Sequence, residues 1–151
     1  MSTTSSQLEE PKYIELRTND GVIHTVNTRL ALQMGPIRDL IMLEKEKKVN
    51  AIDAIPLARV DAKNMRFIIK WSAAIQRLRG NVELKRKTIL KQLLSEEDAD
   101  YGFLLQLILA SNYLQLENLL KASTNLLADS IEACESVQEI CKRFNVPTDS
   151  L

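Results

Sequence analysis

Few side chains in this chain can do covalent, metal or proton-transfer chemistry. One imidazole, His24, and two thiols, Cys134 and Cys141, are the only members of their classes. A histidine-based acid–base pair would have to rest on His24, which sits inside a short run patterned as a strand. A lone strand histidine is far more often structural than catalytic. A zinc site needs three or four converging His, Cys or carboxylate ligands, and His24 is distant in the chain from both thiols. The four glycines are unclustered. No G-x-S-x-G elbow, Walker loop or G-x-G-x-x-G fingerprint is present. Asp and Glu are abundant but fall on predicted helix surfaces and in loops. The residues therefore point to no enzyme and call for no cofactor and no metal. The chemistry that remains is association.

The stretch Tyr101–Leu120 carries that reading. Phe103 to Ala110 is apolar with one break, at Gln106. At 100° per residue its side chains point in all directions, so the helix it predicts must be covered by its own domain or by a partner. Asn112 and Tyr113 then form a polar tip at the end of this buried helix. The tip points to a protein that binds other proteins.

The chain has 151 residues, 45% hydrophobic and 26% charged, typical of a soluble globular domain. Twenty basic and twenty acidic side chains cancel. No global field draws it to nucleic acid or to an anionic membrane. Its apolar runs fall well short of the ~20 residues that span a bilayer. Met1-Ser-Thr-Thr-Ser-Ser has neither the basic nor the apolar part of a secretory signal. A domain of this size folds without disulfides, so two plain buried thiols in a reducing compartment are expected.

Residues 1–11 are polar, end in Pro11 and read as a disordered lead-in. Tyr13–Thr18 and Val22–Val26 alternate as strands around Asn19-Asp20-Gly21, a hairpin signal. Asn27 or Thr28 caps a helix over Arg29–Met34. Gly35-Pro36 ends it, and a second short helix follows, closing on the charge run from Glu44. Ile55–Val60 predicts a short strand kept to an edge by Pro56. Asp61 caps an amphipathic helix with Met65, Ile68, Ile69, Ser72 and Ala73 on one stripe. Trp71 lies off that stripe beside Phe67 and Ile75, and is read as core. The basic segment from Arg77 to Glu97 breaks the pattern and reads as a solvated linker with a helical turn near Ile89–Leu94. Without interleaved aromatics it gives no support for stacking on single strands. After the buried helix, Leu116 to Ile131 predicts a helix with Glu117–Lys121 paired on its wet side. Ser136-Val-Gln-Glu139 is a capping box opening a short helix with Val137, Ile140, Cys141 and Phe144 on one face. Asn145 and Pro147 end that helix.

Several of these strings resemble the S-phase kinase-associated adaptor family of Skp–cullin–F-box ubiquitin ligases. They are Ile14-Glu-Leu-Arg-Thr-Asn-Asp-Gly, Ile55-Pro-Leu-Ala-Arg-Val with Asp61, Ile68-Ile-Lys-Trp, Leu107-Ile-Leu-Ala-Ser-Asn-Tyr-Leu and Ile140-Cys-Lys-Arg-Phe-Asn-Val. They occur in the family's order over about residues 13–149. The resemblance implies a predominantly helical α/β (α+β) fold, a BTB/POZ-like N-terminal domain with additional C-terminal helices. It divides the chain into the lead-in, a BTB/POZ-like part over 12–76, a linker over 77–99 and C-terminal helices over 100–151. It further implies a non-catalytic adaptor joining a cullin to F-box substrate receptors for protein degradation, in cytoplasm and nucleus. Asn112 and Tyr113 match the family's cullin contact. The F-box region corresponds to about 108–151, with Leu116, Leu119, Leu120, Leu127, Ile131, Ile140 and Phe144 as groove or as underlying core. A self-associating BTB-type scaffold, a homodimer, and an elongin-C-like adaptor stand as alternatives. The family commonly has an acidic linker with a Trp-Asp, whereas this linker is basic and has neither. The family also commonly continues past the position of Leu151, so this is read as a divergent member with a shortened C-terminus.

Overall fold

The computed structural model describes residues 13–46, 54–80 and 82–145. The expected lead-in, part of the charge run after Glu44, and Pro147 lie outside them. The chain clusters into two compact units, 1–65 and 66–151. Among the described residues there are three strands and seven helices, a mostly helical α/β fold with a small sheet. It is consistent with the BTB-type arrangement expected.

In the first unit, β1 (Tyr13–Arg17) and β2 (Ile23–Asn27) form the antiparallel hairpin, with Leu16 opposite His24 and Ile14 opposite Val26. Alternation puts Ile14, Leu16, His24 and Val26 on the buried face. His24 is thus a core histidine, its Nε2 3.5 Å from the Thr18 hydroxyl. The turn closes by Gly21 N–H donating to the Thr18 carbonyl at 2.9 Å. Gly21 holds φ +84°, which costs a residue without a Cβ little.

Asn27, not Thr28, caps α1 (Thr28–Gln33), its side chain accepting from Arg29 N–H at 2.7 Å. Gly35 and Pro36 both terminate α1 and supply the first turn of α2 (Gly35–Glu46), where proline is tolerated because its missing N–H would have no helical partner. The predicted strand over Ile55–Val60 shrinks to β3 (Ile55–Pro56), which pairs parallel to β1 at the sheet edge. After Pro56 the strand pairing stops, but Leu57 N–H still donates to the Arg17 carbonyl at 2.8 Å and the Val60 carbonyl accepts from the Asn19 N–H at 2.9 Å.

Asp61 caps α3 (Ala62–Ile75), its carboxylate accepting from the Asn64 N–H at 2.8 Å. Asp20, at the hairpin tip, accepts from the Thr18 hydroxyl at 2.6 Å and from the Ala62 N–H at 3.1 Å. The turn is thereby tied to the first residue of α3. The Thr18 hydroxyl, and next the Ala62 amide, hold the Asp20 carboxyl below its ordinary value of 3.8.

In the second unit, Phe67 and Trp71 of α3 are buried, and the Phe67 ring meets Phe103 edge to face at 5.3 Å. The segment read as a linker is corrected here: Val82–Glu96 is a fifteen-residue helix, α4. Leu, Lys, Glu and Gln with no internal glycine or proline favour that state. Its inward stripe runs through half-buried Val82, Arg86, Ile89 and Leu93 and fully buried Leu90. Arg86 on the inner face and exposed Leu84 on the outer one hide the amphipathic pattern.

Next come α5 (Tyr101–Leu114), α6 (Glu117–Glu132) and α7 (Val137–Phe144). Lys121 pairs with Glu83 of α4 at 2.8 Å, rather than with Glu117 as expected, and Lys87 of α4 pairs with Asp129 of α6. The Lys121 ammonium holds the Glu83 carboxyl below its ordinary 4.5. Asp100 caps α5, accepting from Phe103 N–H at 2.8 Å. The chain leaves α5 by a Schellman turn: Gln115 N–H donates to the Asn112 carbonyl at 3.2 Å and Leu116 N–H to that of Ser111 at 2.9 Å.

Two outcomes are expected. A folded-state carboxyl held low stabilises above its ordinary value, and that contribution disappears as pH falls through the depressed one. Asp20→Asn therefore lowers the thermal midpoint at pH 7, and the gap from the parent protein closes below pH 3.8 in a melting series. Gln115 sits at φ 58°, a left-handed conformation that strains an L side chain. Gln115→Gly relieves it and raises the unfolding free energy by about 1 kcal/mol in a urea titration.

Candidate protein-docking surface

Helix α5 divides into two faces at 100° per residue. Phe103, Leu104, Leu107, Ala110, Ser111 and Leu114 point inward and are buried. The buried Ser111 hydroxyl donates to the Leu107 carbonyl one turn back at 2.7 Å. The opposite face carries Leu105, Ile108, Leu109, Asn112 and Tyr113. Of the two covers expected for Phe103–Ala110, its own domain supplies one side only: Leu109 is 69% exposed and Leu105 39%. Asn112 is exposed and Tyr113 half-buried. Leu105 and Asn112 are two turns apart, about 10 Å along the axis. The polar tip therefore continues an apolar strip on the same side of the helix. The apolarity of Leu105 and Leu109 was visible in the sequence; which side they faced was not.

A second surface is built on α6 and α7. Leu119, 1% exposed, and Leu116, at the mouth of the Schellman turn, belong to the core. Ser123 is buried beside them, its hydroxyl donating to the Leu119 carbonyl at 2.6 Å. Leu120, Thr124, Leu127 and Ile131 recur at helical spacing on the flank. Leu120 and Leu127 are half-buried and Ile131 is exposed, so cover thins toward the end of the helix. Of the seven expected residues, two are thus core, four are half-buried and one is open.

The short α7 is capped as expected, but with a shifted partner. Ser136 accepts from Glu139 N–H at 3.1 Å, while the Glu139 carboxylate accepts from the Glu135 N–H at 2.8 Å rather than from that of Ser136. Asn145, at φ 59°, ends the helix. An eight-residue helix is marginal alone, and three side chains hold this one down. Cys141 is buried, and Phe144 lies on Tyr101 with ring centroids 4.6 Å apart. Arg143 donates to the Ser130 carbonyl at 3.0 Å and to the Glu139 carboxylate at 3.3 Å. Its guanidinium also lies 5.9 Å from the Tyr101 ring centre. Sequence reasoning passed over Arg143, although a cation near a helix C-terminus is a recognisable partner for free carbonyls. The anchoring leaves Ile140 half-buried and Val137 53% exposed, beside the open end of α6.

Both thiols are free; Cys141 is buried as expected, but Cys134 is half-buried and its thiol donates to the Ser130 carbonyl. Among the described residues no group of three or more His, Cys, Asp and Glu is placed to hold a metal ion. No described helix is long and apolar enough to cross a membrane. The surfaces offer apolar side chains edged by amides and a phenol, the means of protein recognition.

No family model matches the chain. Curated proteins do. "SKP1-like protein 20" of Oryza sativa subsp. japonica is 27% identical over 96% of this chain and 89% of its own length. "Skp1-related protein" of Caenorhabditis elegans is 27% identical over 95% and 86%. "E3 ubiquitin ligase complex SCF subunit sconC" of Arthroderma otae is 27% identical over 90% and 84%. Matched along nearly its whole length, and carrying the family's strings in order on a fold of the expected kind, the chain is similar to Skp1-type proteins.

Proposed function

We propose that this protein is a non-catalytic adaptor of a Skp–cullin–F-box ubiquitin ligase, working in cytoplasm and nucleus, that bridges a cullin and F-box substrate receptors. The observation that carries the reading is α5. Half of this helix anchors the core while the other half leaves Leu105, Leu109 and Asn112 open, in a chain related end to end to Skp1-type proteins. The cullin docks on that strip, with Leu109 as apolar anchor and Asn112 and Tyr113 as its polar end. The F-box docks on the second surface, where Ile131 and Val137 are open and Leu120, Leu127, Ile140 and Phe144 lie half-covered beneath. Leu116 and Leu119 support it from the core.

The two surfaces separate by mutation. Leu109→Ala with Asn112→Ala weakens cullin binding roughly thirtyfold, the loss of about 2 kcal/mol expected of a hot spot, and leaves F-box binding intact. Ile131→Ala with Val137→Ala does the reverse, by about tenfold, since exposed apolar contacts at a rim contribute less. Both double variants keep the parent's unfolding free energy within about 0.5 kcal/mol per site, because exposed positions carry little of it. Titration calorimetry with purified cullin and F-box partners reads all of this. A parent protein that binds neither partner sinks the adaptor reading.

A further inference from the structure

A groove of about 300 Å³ runs between α4 and α6, apart from both surfaces described above. That volume lies at the lower end of the roughly 300–1,000 Å³ range of ligand pockets. We propose that it recognises an extended, acidic peptide segment of a partner protein, with Arg86 as the carboxylate anchor.

Arg86 lies on the inward stripe of α4 and lines the groove. Its Nε is buried with no hydrogen-bond partner. A guanidinium is built to hold a carboxylate by two parallel N–H bonds, and here the Nε donor finds no partner among the described residues. Lys87 and Lys121 line the groove beside it. Both are engaged in ion pairs, with Asp129 and Glu83, at partly exposed positions where such pairs contribute little. Three cations thus face two carboxylates, and the surplus attracts an anion.

The shape of the lining favours a peptide. Asn118 and Asn125, both exposed, stand seven residues apart on α6, about 10 Å along the axis. Three residues of extended chain cover about the same distance. Two amides at that spacing can pair with the main chain of a strand-like segment. Ala122 forms an apolar floor, and Leu84, 63% exposed, a rim on which one apolar side chain can rest. Nucleic acid fits less well. No aromatic side chain lines the groove for base stacking.

The test uses the whole chain and a fluorescein-labelled dodecapeptide rich in Glu and Asp with one central Leu, read by anisotropy at low salt. The acidic peptide is expected to bind, and its Gln/Asn counterpart to bind at least tenfold more weakly. Arg86→Gln is expected to weaken binding at least tenfold, and Arg86→Lys to recover only part of it, since an ammonium lacks the planar fork. Asn118→Ala with Asn125→Ala, at exposed positions that leave the helices intact, is expected to weaken binding severalfold whatever Arg86→Gln does to folding. The proposal is overturned if the acidic peptide fails to bind at millimolar concentration or the neutral one binds equally. It also falls if an oligothymidylate of the same charge binds as tightly, or if the Arg86 and paired Asn variants all keep the parent affinity.

Discussion

Everything in the second unit depends on covering one side of α5. Phe103, Leu104, Leu107 and Leu114 are four large apolar side chains on a single face, each worth about 1.5–3 kcal/mol when removed from water. The neighbours are arranged to serve it. Phe67 closes on Phe103 from α3, the Schellman turn folds α6 back along it, and α7 reaches it through Phe144 and Tyr101. Since α6 cannot pack on α5 without exposing its own far flank, the same demand produces the graded strip from Leu120 to Ile131. The core and the exposed strips are two consequences of one burial requirement.

That economy explains why neither of the proposed docking surfaces is made of dedicated residues. The outward strip of α5 uses the same leucine-rich stretch as its core face. The α6 strip shares its helix with Leu119 and Ser123. Small hydroxyl residues help here: Ser111 and Ser123 are buried with their donors returned to the preceding turn, so polar atoms sit in the interior without needing an outside partner.

How much of this was legible in the residues depended on whether the signal was local. Asn19-Asp20-Gly21, the caps Asp61 and Ser136, and the stop at Asn145 act within a few residues, and each was read correctly. Helix α4 was missed because its inward stripe contains an arginine and its outer face a leucine, so periodicity failed where tertiary packing decides. The sidedness of α5 was missed for the complementary reason: a helix apolar in all directions carries no periodicity to read. Lys121 chose Glu83 over its own helical neighbour Glu117, a choice fixed only when α4 and α6 come together. Among the proposed docking residues, the chain identified apolar positions but could not rank them by depth, because depth belongs to the packed pair of helices and not to either alone.

The left-handed residue between α5 and α6 has a consequence of a different kind. With both amides of Gln115 and Leu116 committed to α5, the connection has no slack, and the rotational phase of α6 about its axis is set by the end of α5. Each residue added there would turn α6 by 100°, carrying Leu119 out of the interior and the Leu120–Ile131 strip away from its present heading. The two surfaces are therefore clocked against each other by a single turn. In an adaptor that joins two partners, that phase would govern the angle at which one is presented to the other.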